Sequence, residues 1–227
     1  MHSTKDNLDV LFEDNHLVIV NKKSGDIVQG DKTGDKPLSD VVKEYIKEKY
    51  NKPGEVFLGV VHRLDRPTSG IIIFARTSKA LERLNKMLRD RLISKTYWAV
   101  IKNNPKKTKD SLIHFLKKNP KNNKSTVFKK EAEGSKKATL HYTTIKNLEN
   151  YSLLEIDLET GRHHQIRAQL SFIGSPIKGD LKYGASRSNK DGSIHLHARK
   201  INFTHPVSKK IITVLAPPPS EIIWNAC

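Results

Sequence analysis

Hydrophobic and polar positions switch between a period of two and a period near 3.6 along this chain, which predicts interleaved strands and helices. Residues 8–21 alternate as a strand does, with Val18, Ile19 and Val20 as its buried end. Turns rich in Gly, Asp and Lys follow at 22–25 and 30–36. Ser39 or Asp40 can then cap a helix whose apolar face is Val41, Val42, Tyr45 and Ile46. Residues 51–54 stop it, and 56–61 lead into a polar stretch, 62–70. The apolar, β-branched run 71–75 reads as a buried strand. After it, Thr77 or Ser78 opens a second helix with Leu81, Leu84 and Leu88 at helical spacing. Residues 95–101 are a strand by their aromatic and β-branched content.

Residues 102–130 break the pattern. They hold ten Lys against one Asp, with two Pro and five Asn, and read as a strand excursion or mobile hairpin on the surface. Strand patterns return at 138–145 and 151–158, joined by a turn at 147–150. In 160–174 Thr160 can cap a helix, Ile166, Leu170 and Ile173 form one stripe, and Gly174 suits its end. His163 and Arg167, four apart, would then share one face. Residues 176–184 look loop-like, and 195–203 and 211–216 close the chain as strands.

With 227 residues there is length for a substantial core, and no linker marks a firm domain boundary. The net charge of +17 changes the picture more, because it favours polyanionic partners, nucleic acid above all; a lysine-rich surface with no such partner is the alternative. Cys227 is the one cysteine, which excludes a disulfide framework or a cysteine-based zinc site and fits a cytoplasmic location. Neither a signal peptide nor a membrane-spanning run is present.

Phosphate-binding glycine loops, dinucleotide fingerprints, zinc-protease helices and hydrolase elbows are all missing. His163, His164, His195 and His197 lack the clustered carboxylates or thiols that would complete a metal site, so no metal is expected. The densest chemistry is in 61–70, where Asp65 is flanked by Arg63 and Arg66. Those cations favour its carboxylate form, so Asp65 reads either as a nucleophile or electrostatic carboxylate, or as one member of an Arg–Asp network pinning a turn. Lys95 and Tyr97, two apart on a strand, face one side.

His62-Arg63-Leu64-Asp65-x-x-Thr68-Ser69-Gly70 resembles the active-site motif of the RluA-type pseudouridine synthases. The resemblance extends through the opening LFEDNHLVIVNKKSG, Lys95-x-Tyr97, Thr160-Gly161-Arg162-x-His164-Gln165-Ile166-Arg167 and Gly174-x-Pro176-Ile177-x-Gly179-Asp180-x-x-Tyr183-Gly184. His195-Leu196-His197-Ala198 and Thr204-His205-Pro206 complete it, in family order, over about 8–217. Lys23 stands where the family generally has Pro, and Gln169 where it often has His.

The resemblance implies an α+β fold, a long and mostly antiparallel sheet with flanking helices and a central catalytic cleft, in a single catalytic domain spanning 1–227 without an S4 module. One lobe would hold the first strands and helices, and much of the other would start near Ala138. It further implies isomerisation of specific uridines in ribosomal or transfer RNA, on a flipped-out base, with no cofactor. Asp65 would be the catalytic carboxylate, Arg167 its partner, and Tyr97 would lie against the uracil. Arg63, Lys95, Arg162, His164 and Gln165 would contact RNA, although a helix-cap network is the alternative for Arg162 and Gln165. Structured RNA is the expected partner and the expected state is a monomer, with no membrane and no nucleotide cofactor. The competing class is a catalytically silent RNA-binding or ribosome-assembly protein on the same scaffold.

Overall fold

The alternation over 8–21 carries straight across a turn, so what reads as one strand folds as two, β1 (Val10–Glu13) and β2 (Leu17–Lys22). Asp14 is the cause. Its carboxylate accepts the His16 and Leu17 N–H groups at 2.7 and 2.8 Å, and its own N–H reaches the Leu17 carbonyl. β2 is buried at Leu17 through Val20 because both faces are covered.

This computed structural model describes residues 2–31 and 33–227, and the chain divides into two compact units. The first takes the chain up to Ile93 and again from Ala198 to Pro219. Within it α1 (Leu38–Lys49) begins ahead of Ser39. Pro37 precedes it and offers no side-chain cap. The first N–H groups are met instead by the loop before the helix, Leu38 donating to the Ile27 carbonyl and Ser39 to that of Val28. The short strand β3 (Gly59–Val60) leads to β4 (Ser69–Ala75), every residue of which is buried. β4 runs antiparallel to β2, from Leu17 opposite Ala75 to Lys22 opposite Gly70. Val18, Val20, Ile72 and Phe74 pack against Val41, Val42 and Ile46 of α1, forming this unit's core. Helix α2 (Ser78–Arg89) is capped as its sequence predicts, with the Thr77 hydroxyl accepting the Ala80 N–H.

The second unit starts at Ser94, well before Ala138, and takes in Ser94–His197 and Ser220–Cys227. The early start follows from pairing: β5 (Ser94–Ile101) is laddered antiparallel from Thr96 to Ile101 with its partner. The lysine-rich stretch folds as a hairpin, as its sequence suggests, made of β6 (Lys109–Asn119) and β7 (Lys124–Phe128). β8 (Lys136–Asn147) pairs β6 and β9 (Ser152–Leu158) pairs β8 and β5, so the order is β5-β9-β8-β6-β7, antiparallel throughout. Helix α3 (Gln165–Phe172) lies on this ladder, with Ala168 packed among Leu116, Ala138 and Tyr183.

β10 (Leu196–Thr204) returns the chain to the first unit at Ala198, and β11 (Ile211–Leu215) pairs with it. Gly70 lies against Ala198 with φ of +112°, where an added Cβ would fall 2.4 Å from the Ala198 carbonyl oxygen. Only glycine fits there. The last helix, α4 (Ile222–Asn225), seats Trp224 against Val100 and Leu153 in the second unit.

Candidate active site

Asp65 lies in the first unit on the loop between β3 and β4, and is partly exposed. The loop has no ladder of its own, so its backbone groups are held one by one. The Asp65 carbonyl accepts the Thr68 N–H at 3.0 Å, and the Pro67 carbonyl accepts the Ser24 hydroxyl at 3.0 Å. The Arg66 carbonyl takes two donors, the Gly25 N–H at 2.8 Å and the Lys22 ammonium at 3.2 Å. Arg66 answers by donating its Nε to the Gly25 carbonyl at 3.0 Å and pairing with Asp35. At the front, the His62 ring accepts the Ile73 N–H of β4. The turn after β2 and the loop carrying Asp65 are thus bound residue to residue. Arg63, beside it, is exposed.

Lys22 is a part of this arrangement that the sequence reading passed over as a turn residue. It is 1% exposed, and its ammonium also donates to the Lys23 carbonyl at 2.9 Å. Burial pushes its pKa down to about 8, against the through-space pull of Asp26 and Asp65. Period two supplies the missed signal: Lys22 follows Val18 and Val20 on the core face of β2.

The other site candidates lie in the second unit. Tyr97 is buried on β5 opposite Ile156, and Lys95, two residues earlier, is partly exposed. Burial lowers the Lys95 pKa. Its ammonium approaches Gly161, where a Cβ would meet it at 3.7 Å.

The helix expected from Thr160 begins at Gln165, so His163 and Arg167 do not share a helical face. Thr160 is engaged elsewhere, its hydroxyl 2.7 Å from the Gln165 Oε1, which also accepts the Arg162 N–H. Gln165 is buried and its Nε2 donates to the Thr139 carbonyl. This knot forces His164 into the left-handed region at φ 51° before the helix can start. Arg162 is exposed, and its Nε donates to the Lys137 carbonyl. His164 Nδ1 lies 2.9 Å from the Tyr183 hydroxyl.

Arg167, on the first turn of α3, is 5% exposed. Asp180 grips its guanidinium through two bonds, 2.7 Å at Nε and 2.9 Å at Nη2. The Tyr183 ring lies 5.1 Å from the same guanidinium. The sequence marked Asp180 and Tyr183 only as members of a Gly-Asp-x-x-Tyr-Gly motif, without roles. Gln169, at the position that departs from the family pattern, is fully buried and donates to the Leu112 and Ala138 carbonyls, fastening α3 to β6 and β8. Among the described residues no three His, Cys, Asp or Glu are grouped as a metal site, and no helix is long and apolar enough to cross a membrane.

The fold is α+β, with an aspartate on a clamped loop in the first unit and a strand tyrosine and a buried helix arginine in the second. The family model for RNA pseudouridylate synthases matches residues 16–172, and the chain belongs to that family, of the RluA type. An uncharacterized RNA pseudouridine synthase of Synechocystis is 32% identical over 94% of this chain and 66% of its own length. The ribosomal large subunit pseudouridine synthase D of Zymomonas mobilis is 32% identical over 95% of this chain and 70% of its own. The chain therefore spans about two thirds of these curated relatives. The solved human RNA pseudouridylate synthase domain containing 4 shares the fold, with a TM-score of 0.78 over 93% of this chain and 89% of that one, at 23% identity.

Proposed function

We propose that this chain isomerises specific uridines of structured ribosomal or transfer RNA to pseudouridine. The reading is carried by Asp65, which lies inside the family match on a loop whose neighbouring carbonyls are held by Lys22, Ser24 and Gly25. A carboxylate held this way is positioned before substrate arrives, so little ordering entropy is left to lose on binding.

In the reaction the bond from uracil N1 to ribose C1′ breaks, the base turns, and C5 is joined to C1′. The C5 proton leaves and N1 gains one, so no group is added and no redox partner enters. Asp65 would assist either by attack at C1′ or by taking the C2′ proton. Tyr97 is assigned to the face of the uracil, and Arg167 to orienting the carboxylate. The target base would be flipped from its stack at a cost of a few kcal/mol, offset by phosphate contacts from the basic surface. Arg63, Lys95, Arg162 and His164 are the assigned RNA contacts, and Gln165 shapes the turn that carries two of them. We assign the enzyme to the cytoplasm, acting as a monomer.

The test compares total RNA from cells lacking the protein with RNA from the same cells carrying wild type or Asp65→Asn. Pseudouridines are read as carbodiimide-dependent reverse-transcription stops. A stop restored by wild type and not by Asp65→Asn establishes the activity and names the substrate. Restoration by both removes Asp65 from catalysis, and no difference between these RNAs at any site favours a silent RNA-binding protein.

A further inference from the structure

In the second unit, one hydroxyl joins the lysine-rich hairpin to the start of α3. The Tyr183 oxygen accepts the Ser125 N–H of β7 at 2.7 Å and lies 2.9 Å from His164 Nδ1. A phenol has one proton to give and lone pairs to receive, so it serves both partners at once. Burial pushes the Tyr183 pKa up, which keeps that proton in place at neutral pH.

Ser125 is buried near the hairpin tip, and its side chain reaches the same place. Its hydroxyl donates to the His163 carbonyl at 2.6 Å and lies 3.0 Å from His163 Nδ1. The His163 and His164 rings stack at 3.8 Å between centroids, which ties the two residues before α3 to each other. Lys182 adds a contact from Tyr183's neighbour to the Asn123 carbonyl at the hairpin tip. Below the hydroxyl, the Tyr183 ring faces the guanidinium of Arg167, which Asp180 holds from the side.

We infer that Tyr183 is a positioning residue: its hydroxyl latches the lysine-rich hairpin to the turn before α3, so that seating the hairpin on RNA fixes the orientation of Arg167. The inference rests on the function proposed above. The hairpin gathers lysines at its tip, at Lys117, Lys118, Lys121 and Lys124, and Tyr183 ties its backbone at Ser125 to the ring that faces Arg167. The ring packs and the hydroxyl couples, and the two roles are separable.

Tyr183→Phe removes the hydroxyl and keeps the ring, so the core around Ala138 and Ala168 should persist. Amide hydrogen exchange and steady-state kinetics are measured on the full-length wild type and variant. The latch predicts faster exchange in 124–127 and 163–166 together, with the remaining ladder unchanged. It also predicts kcat lower by about tenfold, the worth of one good buried hydrogen bond, with KM for RNA changed by less than about threefold. Exchange that stays slow in either segment overturns the latch. Faster exchange with unchanged kcat also overturns it, because Tyr183 would then only hold the hairpin in place. If the wild type turns over no RNA, the proposed function fails separately, and exchange alone decides whether hairpin and turn are latched.

Discussion

Among the described residues, Lys22 is the buried cation of the first unit and Arg167 that of the second, and the two are kept in opposite ways. Arg167 in the second unit has a carboxylate gripping it, with two bonds from Asp180. Lys22 in the first unit has two backbone carbonyls as its hydrogen-bond partners, while the carboxylates of Asp26 and Asp65 act on it through space. A guanidinium stays charged at any pH a folded protein meets, so burying it requires an anion at contact. An ammonium has another route: it can lose its proton, and its pKa falls until the neutral form becomes accessible. Lys22 has taken part of that route, with a pKa of about 8. The difference matters because each cation sits beside a residue assigned to chemistry. Arg167 is itself one, and Lys22 holds the carbonyl next to Asp65.

The comparison breaks most directly at Asp180. Asp180→Ala leaves the Arg167 charge buried without the anion that grips it, which should cost about 3–5 kcal/mol of stability. Urea unfolding of wild type and variant measures this. A loss below about 1 kcal/mol, the scale of an exposed pair, would mean that other contacts of Arg167 replace Asp180 and that the pairing contrast is wrong.

Lys22→Met sharpens the other side through pH. The folded-state pKa of about 8 lies below the unfolded value of 10.5. Between these values the unfolded chain binds more protons than the folded one, so stability rises with pH across the window. Below it both states are protonated, and the full penalty of the buried charge, about 3 kcal/mol by the size of the shift, remains in force. Lys22→Met removes this one titration. The stability difference, wild type minus variant, should therefore climb by that amount from pH 8 to 10.5. A constant difference would show that Lys22 keeps its ordinary pKa and needs a closer anion than Asp26 or Asp65 supplies.

How far the sequence shows all this depends on what fixes each element. β4 is legible from the apolar run 71–75, though Ser69 and Gly70 read as loop and turn out to begin it, and Thr77 caps α2 because the cap is a local bond. The break at Asp14 is hidden, since alternation continues across it and only the carboxylate's bonds to His16 and Leu17 end the strand. The start of α3 is hidden for a related reason. Thr160 has the chemistry of a cap, yet Gln165 and Thr139 claim its hydroxyl, and they converge on it only after β8 and the turn have met. Asp65, Tyr97 and Arg167 stand out by motif, whereas Asp180 and Tyr183 gain their roles from distances to a guanidinium that no spacing rule reveals. Lys22 was within reach, because its place in the period-two pattern of β2 puts it inward.

Ser24 supplies the finest test of how the first loop is held. Its hydroxyl donates to the Pro67 carbonyl, one residue beyond the carbonyl that Lys22 holds. Both bonds fix the same turn, but Ser24 carries no charge and has no titration to couple to it. Ser24→Ala should cost about 1 kcal/mol, the net value of one neutral hydrogen bond, and the cost should be the same on either side of the Lys22 window. Urea unfolding across that window checks both statements. A cost that grows as Lys22 deprotonates would mean that the two donors share the load and that the neutral lysine grips less well. A flat cost assigns the pH dependence of the Asp65 loop to the buried ammonium alone.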